Sequence, residues 1–147
     1  MRSVILISLL ALAGCLIAGL HFAQLCSFKR RPIYSRRELL YAYGVGEEDY
    51  HFLIIILSAV GASYQIDYRK LRPNDSFDGN LKQLDSWILD KGNEELTSKL
   101  LSYGVTATAL KQIRTVQDVV MLYLKKVEIE KDETSVLGKQ GSAGLAP

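Results

Sequence analysis

The residues best able to carry chemistry in this chain sit in "LDSWILD", residues 84–90. There an Asp85–Ser86 pair stands directly before Trp87 and an apolar helical pattern. A hydroxyl in that place has two uses. Ser and Asp are favoured N-cap residues, whose side-chain oxygens accept from the unpaired N–H groups of a first helical turn. The same hydroxyl, exposed on a firm helix end, can instead bear a transferred group, and a helix N-terminus tolerates a negatively charged one. No other constellation competes with it. His51 is the one histidine beyond residue 30 and has apolar neighbours, so neither a Ser/His/Asp arrangement nor a histidine metal site can be assembled in the body. Cys15 and Cys26 lie within or at the edge of the first apolar segment. The rest of the chain therefore has no thiol for a disulfide or a zinc site. A phosphate-cradling glycine motif is also missing. These residues read as a non-enzymatic protein without a metal.

The elements that must position Ser86 follow from length and patterning. A chain of 147 residues with a formal charge of +2 and 48% apolar content can fill one small core. No basic run is interleaved with stacking aromatics, which argues against nucleic acid as a partner. The first segment, "VILISLLALAGCLIAGLHFAQL" (4–25), has no charged residue and the roughly 20 residues a spanning helix needs. Residues 1–27 are therefore expected to be a transmembrane anchor. Lys29, Arg30, Arg31, Arg36 and Arg37 follow it, and by the positive-inside rule they place the C-terminal domain in the cytoplasm. Residues 28–46 read as a basic juxtamembrane linker that attracts anionic lipid headgroups. Within it "YSRRELLYAYGVG" predicts a short helix capped by Ser35 and ended by Gly44. An alternative is a lipobox, "LAGC" (12–15), with Cys15 lipidated and the domain outside the cytoplasm. Cys26 lies where S-acylation occurs in other proteins.

Residues 47–130 predict a helical bundle. Glu47, Glu48 and Asp49 suit a helix N-terminus. Tyr50, Leu53, Ile54, Leu57, Val60, Gly61 and Tyr64 follow on one face, with Phe52, Ile55 and Ile56 on the other. Pro73 and Asn74–Asp75 mark a long loop, in which the Asp or Ser76 side chain bonds nearby backbone, and Gly79–Asn80 marks a turn. A second helix is expected from Asp85 or Ser86, interrupted at Gly92–Asn93 and resumed by "EELTSKLLSYGV" with Gly104 as C-cap. "TATALKQI" is a short turn. Thr115 then caps "TVQDVVMLYLKKV", whose Val116, Val119, Val120, Tyr123 and Val127 share a face. Residues 131–147 read as a disordered tail. The expected fold is all-α: three main helices and a short one, preceded by one transmembrane helix.

From about Glu48 to Lys126 the chain resembles the acyl carrier proteins and peptidyl carrier domains. The likeness lies in the order of an amphipathic first helix, "IDYRKLRPNDSF", "LDS", "EELTSKLLSYGV" and "IRTVQDVVMLYL". The resemblance implies that Phe77 packs into the core and that the Thr–Val pair opens the last helix. It further implies that Ser86, with Asp85 beside it, carries a 4′-phosphopantetheine arm through a phosphodiester. Such an arm holds an acyl group as a thioester, and the implied partners are a phosphopantetheinyl transferase and acyl-transferring enzymes, with lipid metabolism as a natural setting at a membrane. Trp87, Glu94 and Glu95 are the candidate contacts for partners. The chain departs from the family pattern where Gln83–Leu84 replaces a glycine, at Trp87, and at Lys91 and Lys99 on a helix that is otherwise acidic in the family. The alternative is an unmodified carrier-like adaptor, anchored to the membrane, in which Ser86 is a helix cap.

Overall fold

The computed structural model describes the backbone of residues 2–82, 84 and 91–141, and the side chains of that set apart from 2–4, 20, 21, 24, 25 and 132–141. The described chain is mostly helical, in keeping with its patterning. Its helices are α1 (Arg2–Arg30), α2 (Arg36–Tyr43), α3 (Tyr50–Ser63), α4 (Lys91–Ser102), α5 (Ala107–Leu110) and α6 (Val116–Gly141). Two 3-10 turns, Glu47–Asp49 and Tyr68–Lys70, stand before α3 and in the loop that follows it. Extended backbone pairs, among the described residues, at the isolated antiparallel bridge between Ser76 and Thr115.

Local chemistry explains most helix ends. Ser35 and Glu38 form a reciprocal capping box before α2, and Gly44 closes that helix in the left-handed region at φ 65°. Gly104 does the same after α4 at φ 80°. At α6 the Asp118 carboxylate accepts from the backbone N–H groups of Arg114 (2.9 Å) and Thr115 (2.8 Å), while the Thr115 hydroxyl accepts from the Asp118 N–H (3.3 Å). Partial burial opposes ionisation of Asp118, but these hydrogen bonds outweigh it and hold the carboxyl below the usual carboxylate range. Because the folded value is lower than the unfolded one, this contribution to stability is complete above the ordinary carboxylate range. It is lost as the pH falls through the lowered value. Thermal melts of the full chain taken from neutral pH downward should show a shallower acid limb for Asp118→Asn than for the parent protein. Superimposable limbs would mean that the cap does not form.

Two sequence expectations are corrected. Among the described residues no helix is long and apolar enough to cross a membrane. This overturns the transmembrane helix, and with it the single-pass placement that put the C-terminal domain in the cytoplasm. The physical reason lies in how α1 is used. Its C-terminal end belongs to the domain, because Phe28 is buried in the core at 3% exposure. Along α1 Cys15 is exposed and Cys26 half-buried. The second correction concerns α4, which contains Gly92 and Asn93 as helical residues, with Gly92 buried. A helical glycine costs about 1 kcal/mol relative to alanine, and packing of Leu96 and Leu100 into the core offsets it.

The core is built around α3, whose Leu53, Ile56, Leu57 and Val60 are fully buried. Helix α6 packs against it through Val116, Val119 and Val120, and α4 through Leu96 and Leu100. Leu39, Leu40 and Tyr43 of α2 also enter the same core, and Gln117 Nε2 ties α6 to the Tyr43 carbonyl at 3.2 Å. Residues 28–46 thus include core as well as connection. At the other end, α6 carries helical backbone through residues 131–141.

Candidate functional site

Asp85, Ser86 and Trp87 lie outside the described residues. The chain on either side of them is described. Leu84 is buried, and Lys91 is exposed on α4. Both line a cavity of about 440 Å³, which places Ser86 two residues along the chain from one wall and five from another.

Three parts of the fold build that cavity: the end of α1, the turn after α3, and the start of the described part of α4. Phe28, Tyr64, Ile66 and Leu84 supply its apolar lining. The turn after α3 is a Schellman motif, in which the Ile66 N–H donates to the Gly61 carbonyl at 2.8 Å and the Gln65 N–H to that of Ala62 at 3.3 Å. Such a motif calls for a left-handed residue after the cap, and Gln65 fills that place at φ 55°. It is the non-glycine residue with positive φ among the described ones, and it lines the cavity. Holding a side chain in that region costs on the order of 1 kcal/mol, and strain of this kind concentrates at functional sites.

The electrostatics of the cavity favour an anion. Among the described residues two carboxylates line it, and both are engaged elsewhere. Asp67 accepts from Arg69 Nη2 at 2.7 Å, Arg69 Nε at 3.0 Å and the Arg69 backbone N–H at 3.0 Å, and the Arg69 side chain holds its carboxyl below the usual range. Glu95 pairs with Lys99 one turn along α4, at 2.6 Å. Lys29, Lys70 and Lys91 also line the cavity. Lys70 Nζ donates to the Lys29 carbonyl, which ties the Tyr68–Lys70 turn to the end of α1. Among the described residues Lys29 and Lys91 form no ion pair. Three lysines beside an apolar lining suit an anion that also carries an apolar part. Among the described residues that line the recess there is no thiol or histidine, and the Ser63 hydroxyl donates to the Ala59 carbonyl at 3.0 Å.

The other sequence candidates are placed as follows. Glu94 and Glu95 are both exposed near the start of the described α4, on a surface that also carries Lys91. Phe77 is half-buried against the core, its ring 6.1 Å from that of Tyr64. A larger hollow of about 820 Å³ runs along α5 and α6 on the side of Glu48 and Asp49. Its charged groups are partly committed, Asp49 to Lys131 at 3.1 Å and Asp118 to the α6 cap, and neither Leu84 nor Lys91 lines it.

One residue was read from sequence only as loop chemistry and proves central. Asp75, buried to 2% exposure, accepts from Arg31 Nη1 with both oxygens (2.8 and 2.7 Å), from the Arg72 N–H at 2.7 Å and from Asn80 Nδ2 at 2.6 Å. The Arg31 guanidinium lies 3.8 Å over the Phe28 ring, so this carboxylate holds the end of α1, and one wall of the cavity, onto the loop. Beside the cluster Tyr43 is buried, and its hydroxyl has no partner among the described residues. Burial, and secondarily the Asp75 charge, push its phenol far above the usual range. The loop and turn signals around Asp75 are legible in sequence, but a partner 44 residues away has no sequence signature.

No family model, no curated protein and no solved structure matches this chain.

Proposed function

We propose that the domain is an acyl-carrier-like module in which Ser86 bears a 4′-phosphopantetheine arm and partner enzymes act on the group it holds. The observation that carries this reading is the succession of elements around Ser86. Helix α3 leads into a loop over residues 64–84, and α4, the four-residue α5 and the long α6 follow, in the order the resemblance implies. The cavity lined by Leu84 and Lys91 adds support, since its donors suit the phosphate of such an arm. When attached, the arm supplies a thiol that holds an acyl group as a thioester. The chain's own residues would serve it: Ser86 bears the ester, and exposed Glu94 offers a contact to a basic partner surface.

Intact and peptide mass spectrometry of the protein purified from its own host tests the reading. The expected result is a phosphopantetheine-sized increment on the peptide containing Ser86, absent in Ser86→Ala. An unmodified Ser86, in cells whose other carriers are modified, would overturn it. The domain would then be an interaction module, a reading favoured by the mixed charge of α4, where Lys99 neutralises Glu95.

A further inference from the structure

The end of α1 takes part in the cavity as well as in the core. Lys29 comes from α1, Lys70 from the Tyr68–Lys70 turn and Lys91 from α4. Only the last two belong to the stretch that resembles a carrier domain. Phe28 adds an aromatic wall from the same end of α1, held in place by Arg31 and Asp75. We infer that this cavity is a binding site for a phosphate ester, with Lys29, Lys70 and Lys91 around the phosphate and the tail of the ester against Phe28, Tyr64 and Leu84.

The inference deepens, and rests on, the carrier reading if the ester is the arm on Ser86, which the cavity would hold folded back on the domain. The same chemistry is met by a free phosphate ester of similar size, and a tethered and an untethered source give different results below. Three features point to a ligand. Among the described residues the carboxylates on the wall are paired with Arg69 and Lys99, and Lys29 and Lys91 form no ion pair. A volume of about 440 Å³ falls in the range of small-molecule pockets, roughly 300–1,000 Å³. Gln65, strained at φ 55° where glycine would be relaxed, brings an amide to the same wall and can hydrogen-bond a polar tail.

The test uses the full chain carrying Ser86→Ala, so that no tethered arm fills the cavity, titrated with free 4′-phosphopantetheine and, separately, with inorganic phosphate. Calorimetry gives the affinity, and amide chemical shifts give the place. Saturable binding of 4′-phosphopantetheine is expected, with shifts at residues 63–70, an affinity at least tenfold above that of inorganic phosphate, and weakening as salt is added. Lys29→Gln combined with Lys91→Gln should weaken binding about tenfold or more, converting to roughly 1.4 kcal/mol, with an unchanged melting temperature. Gln65→Gly should raise the melting temperature and still weaken binding severalfold. Absence of saturable binding, or an affinity untouched by the double lysine variant, would overturn the inference. Mass spectrometry of Ser86 separates the two claims. A modified Ser86 with no binding in the cavity leaves the carrier reading standing and removes this site. Binding in a protein whose Ser86 is never modified in its host removes the carrier reading and supports a site for a free phosphate ester.

Discussion

Asp75→Ala is expected to lower the stability of the folded chain by about 3 kcal/mol, enough to drop the melting temperature by roughly 15 °C in a domain of this size. The carboxylate is nearly inaccessible and satisfies three groups at once: the Arg31 guanidinium, the Arg72 N–H and the Asn80 amide. Deleting it strands donors in a place water scarcely reaches, and leaving one buried donor unpaired costs about 1–3 kcal/mol. Arg31 keeps 23% side-chain exposure, so its charge is partly hydrated and the loss falls at the lower end of the range for a broken buried pair. Denaturant unfolding of the full chain measures it directly. Adding Arg31→Met to Asp75→Ala should recover part of the loss, because the stranded guanidinium is then gone. A single-variant loss below about 1 kcal/mol would show that Asp75 is hydrated in solution. The same substitution should weaken phosphate-ester binding, since it releases the segment that carries Phe28 and Lys29 to the cavity.

Gly61→Ala is expected to destabilise by about 2 kcal/mol, against the usual helix preference for alanine. A Cβ at this position would lie 2.6 Å from the Ile66 carbonyl oxygen and 3.2 Å from the Tyr68 nitrogen. Both are backbone atoms, which cannot swing aside as a side chain can. The helix gain of somewhat under 1 kcal/mol is outweighed by displacing the 66–68 turn, which is itself pinned by the Ile66 N–H to the Gly61 carbonyl. Ile66 and Asp67 line the cavity, so the turn would be shifted along with that wall. A control at Ala62, exposed on the same helix, makes the comparison clean: Ala62→Gly should cost about 1 kcal/mol by propensity alone. If Gly61→Ala proved neutral or stabilising by thermal melt, the close approach of α3 to the turn would be wrong.

The caps show how much of this fold was legible. Ser35 with Glu38, Thr115 with Asp118, and the left-handed glycines 44 and 104 act within four or five residues of chain. Interactions that close locally leave a pattern of residue types at short spacing, which can be read directly. The buried face of α3 was readable for a similar reason, since Leu53, Leu57 and Val60 recur at the helical period. Gly92 and Asn93 were misread because propensity is a weak local preference, and the burial of Leu96 and Leu100 overrides it. The apolar segment at the N-terminus was misread because hydropathy counts residue types alone. It could not register that Phe28 and Arg31 at its end are used by the domain.

By itself, then, the sequence determined the helical class, the positions of the caps, the core face of α3 and the long loop before Asp85–Ser86. It also left the body of the chain with no thiol and one histidine. Only the tertiary structure decided that Arg31 meets Asp75, that Lys29, Lys70 and Lys91 line one cavity, and that Gln65 bears the strained turn on its wall. These residues lie from 5 to 62 positions apart along the chain. Which of the many possible pairings forms is set by how α1, α3 and α4 pack, and that packing follows from burying their apolar faces in one common core.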